Sequence, residues 1–216
     1  MIEHGEDPRH FPRAVHDLVD GPVQWDRLES FASLVREQGE LRGLIGPREL
    51  PRLWSRHLIN SLAISQFIHD GTDVCDVGSG AGFPGLVIAI ARPNLDVTLV
   101  EPMERRVEWL RDASVAMGLA NVEIVRARAE ELHSSRHFSV VTARAVASLE
   151  KLLRWTWPLV APGGRMLAMK GDRATQEVED ARKVLRKFAL AAEVHGVVSP
   201  LDGSVTNVVD VHKRSN

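Results

Sequence analysis

The sequence predicts an α/β chain of the Rossmann-like type: a mostly parallel seven-stranded sheet with an antiparallel C-terminal hairpin edge, preceded by an N-terminal helical cap. Three observations predict it. Residues 73–101 read as strand, glycine-rich turn, helix and strand, the opening of a Rossmann-type unit. Apolar runs of strand length, rich in β-branched residues, then alternate with stretches of helical period. The last two runs, 192–198 and 205–212, are joined by the short turn Ser199-Pro200-Leu201-Asp202-Gly203, which suits a hairpin at the edge of an otherwise parallel sheet.

At 216 residues the chain is long enough for one domain with an appendage. We divide it into a flexible tail (1–22), a helical extension (23–70) and the main domain (71–216). His4, His10 and His16 in the tail lack the context of a ligand site and read as solvated. The single cysteine, Cys75, falls inside the first strand, where a small buried residue is expected; it excludes a disulfide framework and a thiolate metal cluster. No metal site is expected. No run approaches membrane-spanning length, so a cytoplasmic protein without a membrane partner is expected. The formal net charge of −2 argues against indiscriminate coating of nucleic acid. A local basic face remains open, because arginines and lysines recur at 105, 106, 111, 126, 128, 136, 144, 165, 170 and 173.

From Val23, Trp25, Leu28, Phe31, Ala32, Leu34 and Val35 recur at helical spacing. Residues 49–69 read as one or two further helices, with His57 on a mostly apolar stripe. Arg56 and His57 are read there either as cap packing or as substrate contacts. Strands follow at 74–77 and 97–100, a helix at 104–117, and a third strand at 122–127. The fourth strand spans 138–142 and runs into Ala143-Arg144-Ala145. A helix over 149–160 leads through Pro162-Gly163-Gly164 into the fifth strand, 165–169, followed by Lys170. Residues 175–190 form one helix whose Arg182, Lys183, Arg186 and Lys187 read as a solvated face.

The chemistry is concentrated at the glycine loop, Gly78-Ser79-Gly80-Ala81-Gly82, with Phe83-Pro84-Gly85 after it. A glycine loop alone fits several nucleotide-containing ligands. Two acids sharpen it. Glu101 closes the second strand, 19 residues past Gly82, where an acceptor suits a ribose diol. Asp76, two residues before Gly78, would repel a pyrophosphate and suits the ammonium of S-adenosylmethionine. The plain alternative is that Asp76 braces the loop through backbone donors. A dinucleotide remains the competing ligand. The end of the third strand makes Ala129 and Glu130 candidates for the adenine side. No Asn/Asp-Pro-Pro-aromatic sequence follows the fourth strand. Arg144 stands there instead, able to reach an anionic or oxygen-rich substrate but no base at neutral pH.

The chain resembles the ribosomal RNA small subunit methyltransferase G family, also called the glucose-inhibited division protein B family, over about residues 23–213. The resemblance rests on RHLINSL (56–62), DVGSGAGFPG (76–85), RRVEWL (105–110), NVEIVRARAE (121–130), RAVASLEKL (144–152) and MKG (169–171). It implies methyl transfer from S-adenosyl-L-methionine to N7 of one guanine, position 527, in 16S ribosomal RNA. The implied partner is that RNA or the small ribosomal subunit, and the implied state a monomer. It implies cofactor contacts from Asp76, Gly78, Ser79, Gly80, Gly82, Phe83, Glu101, Ala129, Glu130 and Arg144. It implies Arg128 and Arg144 near cofactor or RNA; because N7 needs no deprotonation and the product guanine gains positive charge, Arg144, Lys170, Arg105 and Arg106 are expected at phosphate or guanine O6 and not in proton transfer. Leu44-Ile45-Gly46 departs from the family's Asn-Leu-Thr segment, and the usual arginine before the last strand has no match. An S-adenosylmethionine enzyme acting on another RNA or a small molecule, and a non-catalytic RNA-binding module, are the alternatives.

Overall fold

The computed structural model describes residues 6–214; His4 lies outside them. Strands β1 (Asp73–Val77), β2 (Asp96–Val100), β3 (Val122–Val125), β4 (Phe138–Arg144), β5 (Val160–Lys170), β6 (Leu190–Val198) and β7 (Val205–Lys213) form one sheet in the order β3-β2-β1-β4-β5-β7-β6. The first five run parallel. β7 lies antiparallel between β5 and β6, so the expected hairpin closes the sheet.

Strand alternation sorts the core into two faces. Leu167 and Met169 of β5 join Val74 and Val140 on one side, whereas Met166 and Ala168 join Cys75 and Val141 on the other. The first face is covered by α1 (Arg13–His16), α2 (Pro22–Gln38), a π-helical turn (Trp54–Ile59) that runs into α3 (Asn60–Leu62), α4 (Gly85–Ala91) and α5 (Glu104–Ala116). The second is covered by α6 (Leu149–Thr156), α7 (Ala174–Asp180) and α8 (Arg182–Lys187). The N-terminal helices share one buried cluster with α4 and β1, so they have no core of their own.

Four boundaries differ from expectation. β3 ends two residues early, at Val125. β4 extends to Arg144, which puts that arginine on the strand's last position. β5 starts at Val160, and Pro162-Gly163-Gly164 absorbs a register slip between the Phe138 and Val140 pairings, as a bulge requires. The single helix predicted over 175–190 breaks at Ala181, which caps α7 and opens α8.

Over the described residues, the segment expected as a flexible tail packs on the cap. The Glu6 carboxylate accepts hydrogen bonds from the Trp54 and Ser55 amides at 2.7 and 3.1 Å. These are free amides at a helix start, where a carboxylate is favoured. Phe11 packs edge-on against Trp54 and Trp25, and Val15 and Val19 are buried. The signal was present, since Phe11, Val15 and Val19 recur every four residues, but three apolar positions among charges do not stand out. Among the described residues no helix is long and apolar enough to cross a membrane.

Candidate active site

Open parallel sheets bind ligands beyond the C-terminal ends of their strands. Two cavities lie there. The first, about 460 Å³, is walled by the turn after β1, the ends of β2 and β3, and the segment after β4. The Gly78 and Ser79 amides donate to the Val100 carbonyl at 2.8 and 3.3 Å, which ties the glycine loop to β2. Gly78 has φ +74°, and a Cβ there would stand 2.8 Å from Val146 Cγ2, so the loop and the segment after β4 touch only because this residue has no side chain.

Glu101 is buried at the end of β2. Its Oε2 accepts from the Gly80 amide and its Oε1 from the Met103 amide, both at 2.9 Å, with Arg106 Nη1 3.8 Å from Oε2. A carboxylate has about four acceptor sites, so two remain for a diol. Gly78, Ser79, Gly80, Phe83, Glu101, Arg106, Arg128, Ala129, Glu130 and Arg144 all line this cavity.

Asp76 does not line it. The side chain is fully buried behind the loop, its Oδ2 accepting from the Gly85 amide at 3.1 Å. The expectation of direct contact with a ligand's ammonium is corrected by that position, which is the bracing role. A Cβ at residue 85 would fall 2.6 Å from Asp76 Cβ and 2.5 Å from Leu99 Cδ2, so the α4 start can sit this close only as glycine. Burial pushes the Asp76 carboxyl up to about 7, against the lowering effect of its hydrogen bonds. Gly82 also stands behind the wall, packed on Leu86 and Phe31. Arg105 is exposed and borders neither cavity.

The second cavity, about 910 Å³, shares Arg144, Ala145 and Val146 with the first. Arg52, Arg56, Lys170 and Arg173 add basic side chains, and Asp172, Glu177, Asp180 and Asp202 acidic ones. Lys170 is mostly buried. Its Nζ donates to the Ala147 carbonyl at 2.6 Å and lies 2.9 Å from Glu177 Oε2, which also accepts from the Leu149 amide at 2.7 Å. Two of the three donors of the ammonium thus hold the 145–149 segment, although the residue lines the cavity as expected.

Arg144 stands where the cavities meet. Its Nη1 donates to the Arg56 carbonyl at 3.2 Å and Asn60 Oδ1 at 3.3 Å, its Nη2 to His57 Nδ1 at 2.6 Å, and the guanidinium lies 5.2 Å from the centre of the Phe83 ring. Desolvation lowers its pKa to about 10, which leaves it cationic at neutral pH. Sequence reasoning noted Leu44 and Ile45 only as a departure from the family, whereas they line the first cavity from the cap, and it missed Asn60. Asn60 lies three residues after His57 and so on its helical face, a signal that was readable.

Two buried polar atoms here lack a protein partner, Asp76 Oδ1 behind the wall and Arg106 Nε on it. A ligand that carries a carboxylate for Arg106 and a ribose diol for Glu101 is complementary to the pocket wall, with the Asp76 carboxyl acting from behind the loop and not by contact. Such a pocket, on a sheet whose last strand reverses between the fifth and sixth, defines a Rossmann-like S-adenosylmethionine-dependent methyltransferase. The fold is similar to that of a precorrin-6y C5,15-methyltransferase from Geobacter metallireducens (TM-score 0.56, 16% identity, 79% of this chain and 91% of that one). It is also similar to a putative S-adenosyl-L-methionine-dependent methyltransferase from Methanococcus maripaludis (TM-score 0.58, 12% identity, 74% and 87%). In sequence, a family model described as rRNA small subunit methyltransferase G matches residues 24–199. Proteins named ribosomal RNA small subunit methyltransferase G from Beutenbergia cavernae and a Nocardioides species are 52% and 51% identical, over 85% and 82% of this chain and 87% and 72% of theirs. The chain belongs to the rRNA small subunit methyltransferase G family.

Proposed function

We propose that the chain methylates N7 of one guanine of 16S ribosomal RNA, position 527 as the family resemblance implies, acting as a cytoplasmic monomer. The observation that carries this reading is the second cavity. It bears Arg52, Arg56, Arg144 and Arg173 among the carboxylates Asp172, Glu177, Asp180 and Asp202, and meets the first cavity at Arg144–Val146. An anionic polymer can lie along such a rim while one base reaches inward. A small-molecule enzyme would instead close its cap over the donor and have no basic rim.

Bound in the first cavity, S-adenosylmethionine supplies a methyl group on a cationic sulfur. The ribose would fall to Glu101, the adenine side to Ala129 and Glu130, and the carboxylate of the amino-acid end to Arg106, whose Nε has no protein partner. Asp76 balances charge from behind the loop. Guanine N7 carries a lone pair and needs no deprotonation. Methyl transfer to N7 therefore asks for no general base, and the chain's contribution is alignment and electrostatics. Arg144 is the group suited to a phosphate or O6 of the target nucleotide.

Mass mapping of small-subunit RNA from cells with and without the protein tests the reading. One N7-methylguanine mark disappears without the protein and returns with its gene. An unchanged RNA, with methylation transferred to another acceptor, overturns it.

A further inference from the structure

We propose that His57, itself held by Glu49, is a positioning residue that fixes the Arg144 guanidinium at the junction of the two cavities. The proposal rests on the reading of Arg144 as an RNA-contacting group and deepens it. His57 Nδ1 is 2.6 Å from Arg144 Nη2, and His57 Nε2 is 3.0 Å from Glu49 Oε2. A guanidinium only donates, so Nδ1 must carry a lone pair. The carboxylate only accepts, so the imidazole proton sits on Nε2. The two neighbours thus select one tautomer of a neutral ring.

The rest of the clamp comes from the same helical segment. Asn60 Oδ1 and the Arg56 carbonyl hold Nη1, and Asn60 Nδ2 donates in turn to Thr206 Oγ1 at 2.6 Å, which ties the clamp to β7. The His57 ring and the guanidinium both lie against Phe83, at 5.1 and 5.2 Å. Arg56 and His57 fall in the π-helical turn, an irregularity that recurs at functional positions. An arginine held at three acceptors from one helical segment has lost most of its rotamer freedom before RNA arrives.

The charged groups facing His57 are Glu49, Arg56 and Arg144, and Asp76 faces Arg144 from β1. Burial and the two arginines hold the imidazole below its ordinary pKa, and Glu49 opposes them. Protonation would put a hydrogen on Nδ1, break the bond to Arg144 and set two cations together. Turnover therefore falls on the acid side, below the usual histidine range, and is full above it. Replacing Glu49 by glutamine removes the raising influence and moves that limb to lower pH. A limb set by Asp76 would stay where it is.

The test uses the full chain. Long-range ¹H–¹⁵N spectra at pH 7.5 show His57 with a bare Nδ1 and a protonated Nε2; the opposite tautomer or a cationic ring overturns the proposal. In single-turnover kinetics His57→Ala slows methyl transfer about 10- to 100-fold, the cost of a misplaced group. Cofactor affinity by calorimetry stays nearly unchanged. His57→Asn, which keeps an acceptor near Nδ1, recovers most of the rate. In an Arg144→Ala background His57→Ala adds nothing. If Arg144→Ala alone keeps full turnover, the reading of Arg144 fails; if it is slow but His57→Ala is not, only the positioning role fails. Should His57→Ala not fold, the Glu49→Gln pH profile decides, and an unmoved acid limb overturns the proposal.

Discussion

Two residues carry most of the electrostatic argument. Arg144 is cationic, clamped, and lies on the wall common to both cavities. Arg144→Ala should cut kcat about 10- to 100-fold, the scale of one lost nucleic-acid contact, while cofactor titration by calorimetry gives nearly the wild-type affinity. A parallel loss of cofactor affinity would place Arg144 with the cofactor instead. Asp76 makes a pH-dependent contribution. Between about pH 4 and 7 the folded chain keeps a proton at Asp76 that the unfolded chain has released, so this group's stabilisation declines as pH rises through that window and is constant above it. Asp76→Asn should then stabilise the cofactor-free protein at pH 8, by at most about 4 kcal/mol, and by little at pH 4. Urea melts at both values check this; an equal effect at both would rule out the carboxylate's charge as the cause. Cys75, buried in β1 with its thiol pushed far up, has no such role.

At the scale of elements, the site depends on close approaches that side chains would prevent. The start of α4 sits against Asp76 and Leu99 through Gly85. Gly85→Ala should cost roughly 1–3 kcal/mol in a denaturant melt and weaken cofactor binding together with stability, because the loop and helix move as one. A substitution with no effect on either would show that the helix start can yield. The N-terminal segment is a second case. Glu6 caps the turn that carries His57, so Glu6→Ala should lower stability by about 1 kcal/mol and loosen that turn. Amide exchange at Trp54 and Ser55 reports it, and unchanged protection would dismiss the cap. The helix that breaks at Ala181 shows the reverse relation: its charge pattern told its solvated face but not where packing against α6 and β6 would interrupt it.

For the whole molecule, the net charge of −2 does not keep the second cavity from carrying Arg52, Arg56, Arg144, Lys170 and Arg173, interleaved there with Asp172, Glu177, Asp180 and Asp202. RNA affinity should therefore fall steeply with salt, and Arg52→Ala and Arg173→Ala should each reduce the slope of log K against log salt by about one unit. A slope that neither change alters would move the RNA off this rim. The shared core of cap and sheet has a further consequence. Trp25, Trp54 and Phe31 sit in the same buried cluster as Leu86 and Val74, so cap and sheet should unfold in one transition.

Local sequence determined the strands, the glycine loop, the acid at the end of β2 and the reversed final hairpin. Each of these is encoded by neighbours within a few residues, through strand period, turn chemistry and the φ values open to glycine. Local sequence also singled out Arg144. Only the tertiary structure decided what those residues touch. Asp76 and Glu101 look alike along the chain, yet one is sealed behind the loop and the other faces the pocket, because burial depends on which helix covers which strand end. Lys170 and Arg144 both close their strands, yet one pairs with Glu177 and the other is aimed between the cavities by His57 and Asn60. The two Arg144 pairings join residues 87 and 84 positions apart, and no local period records a contact of that range.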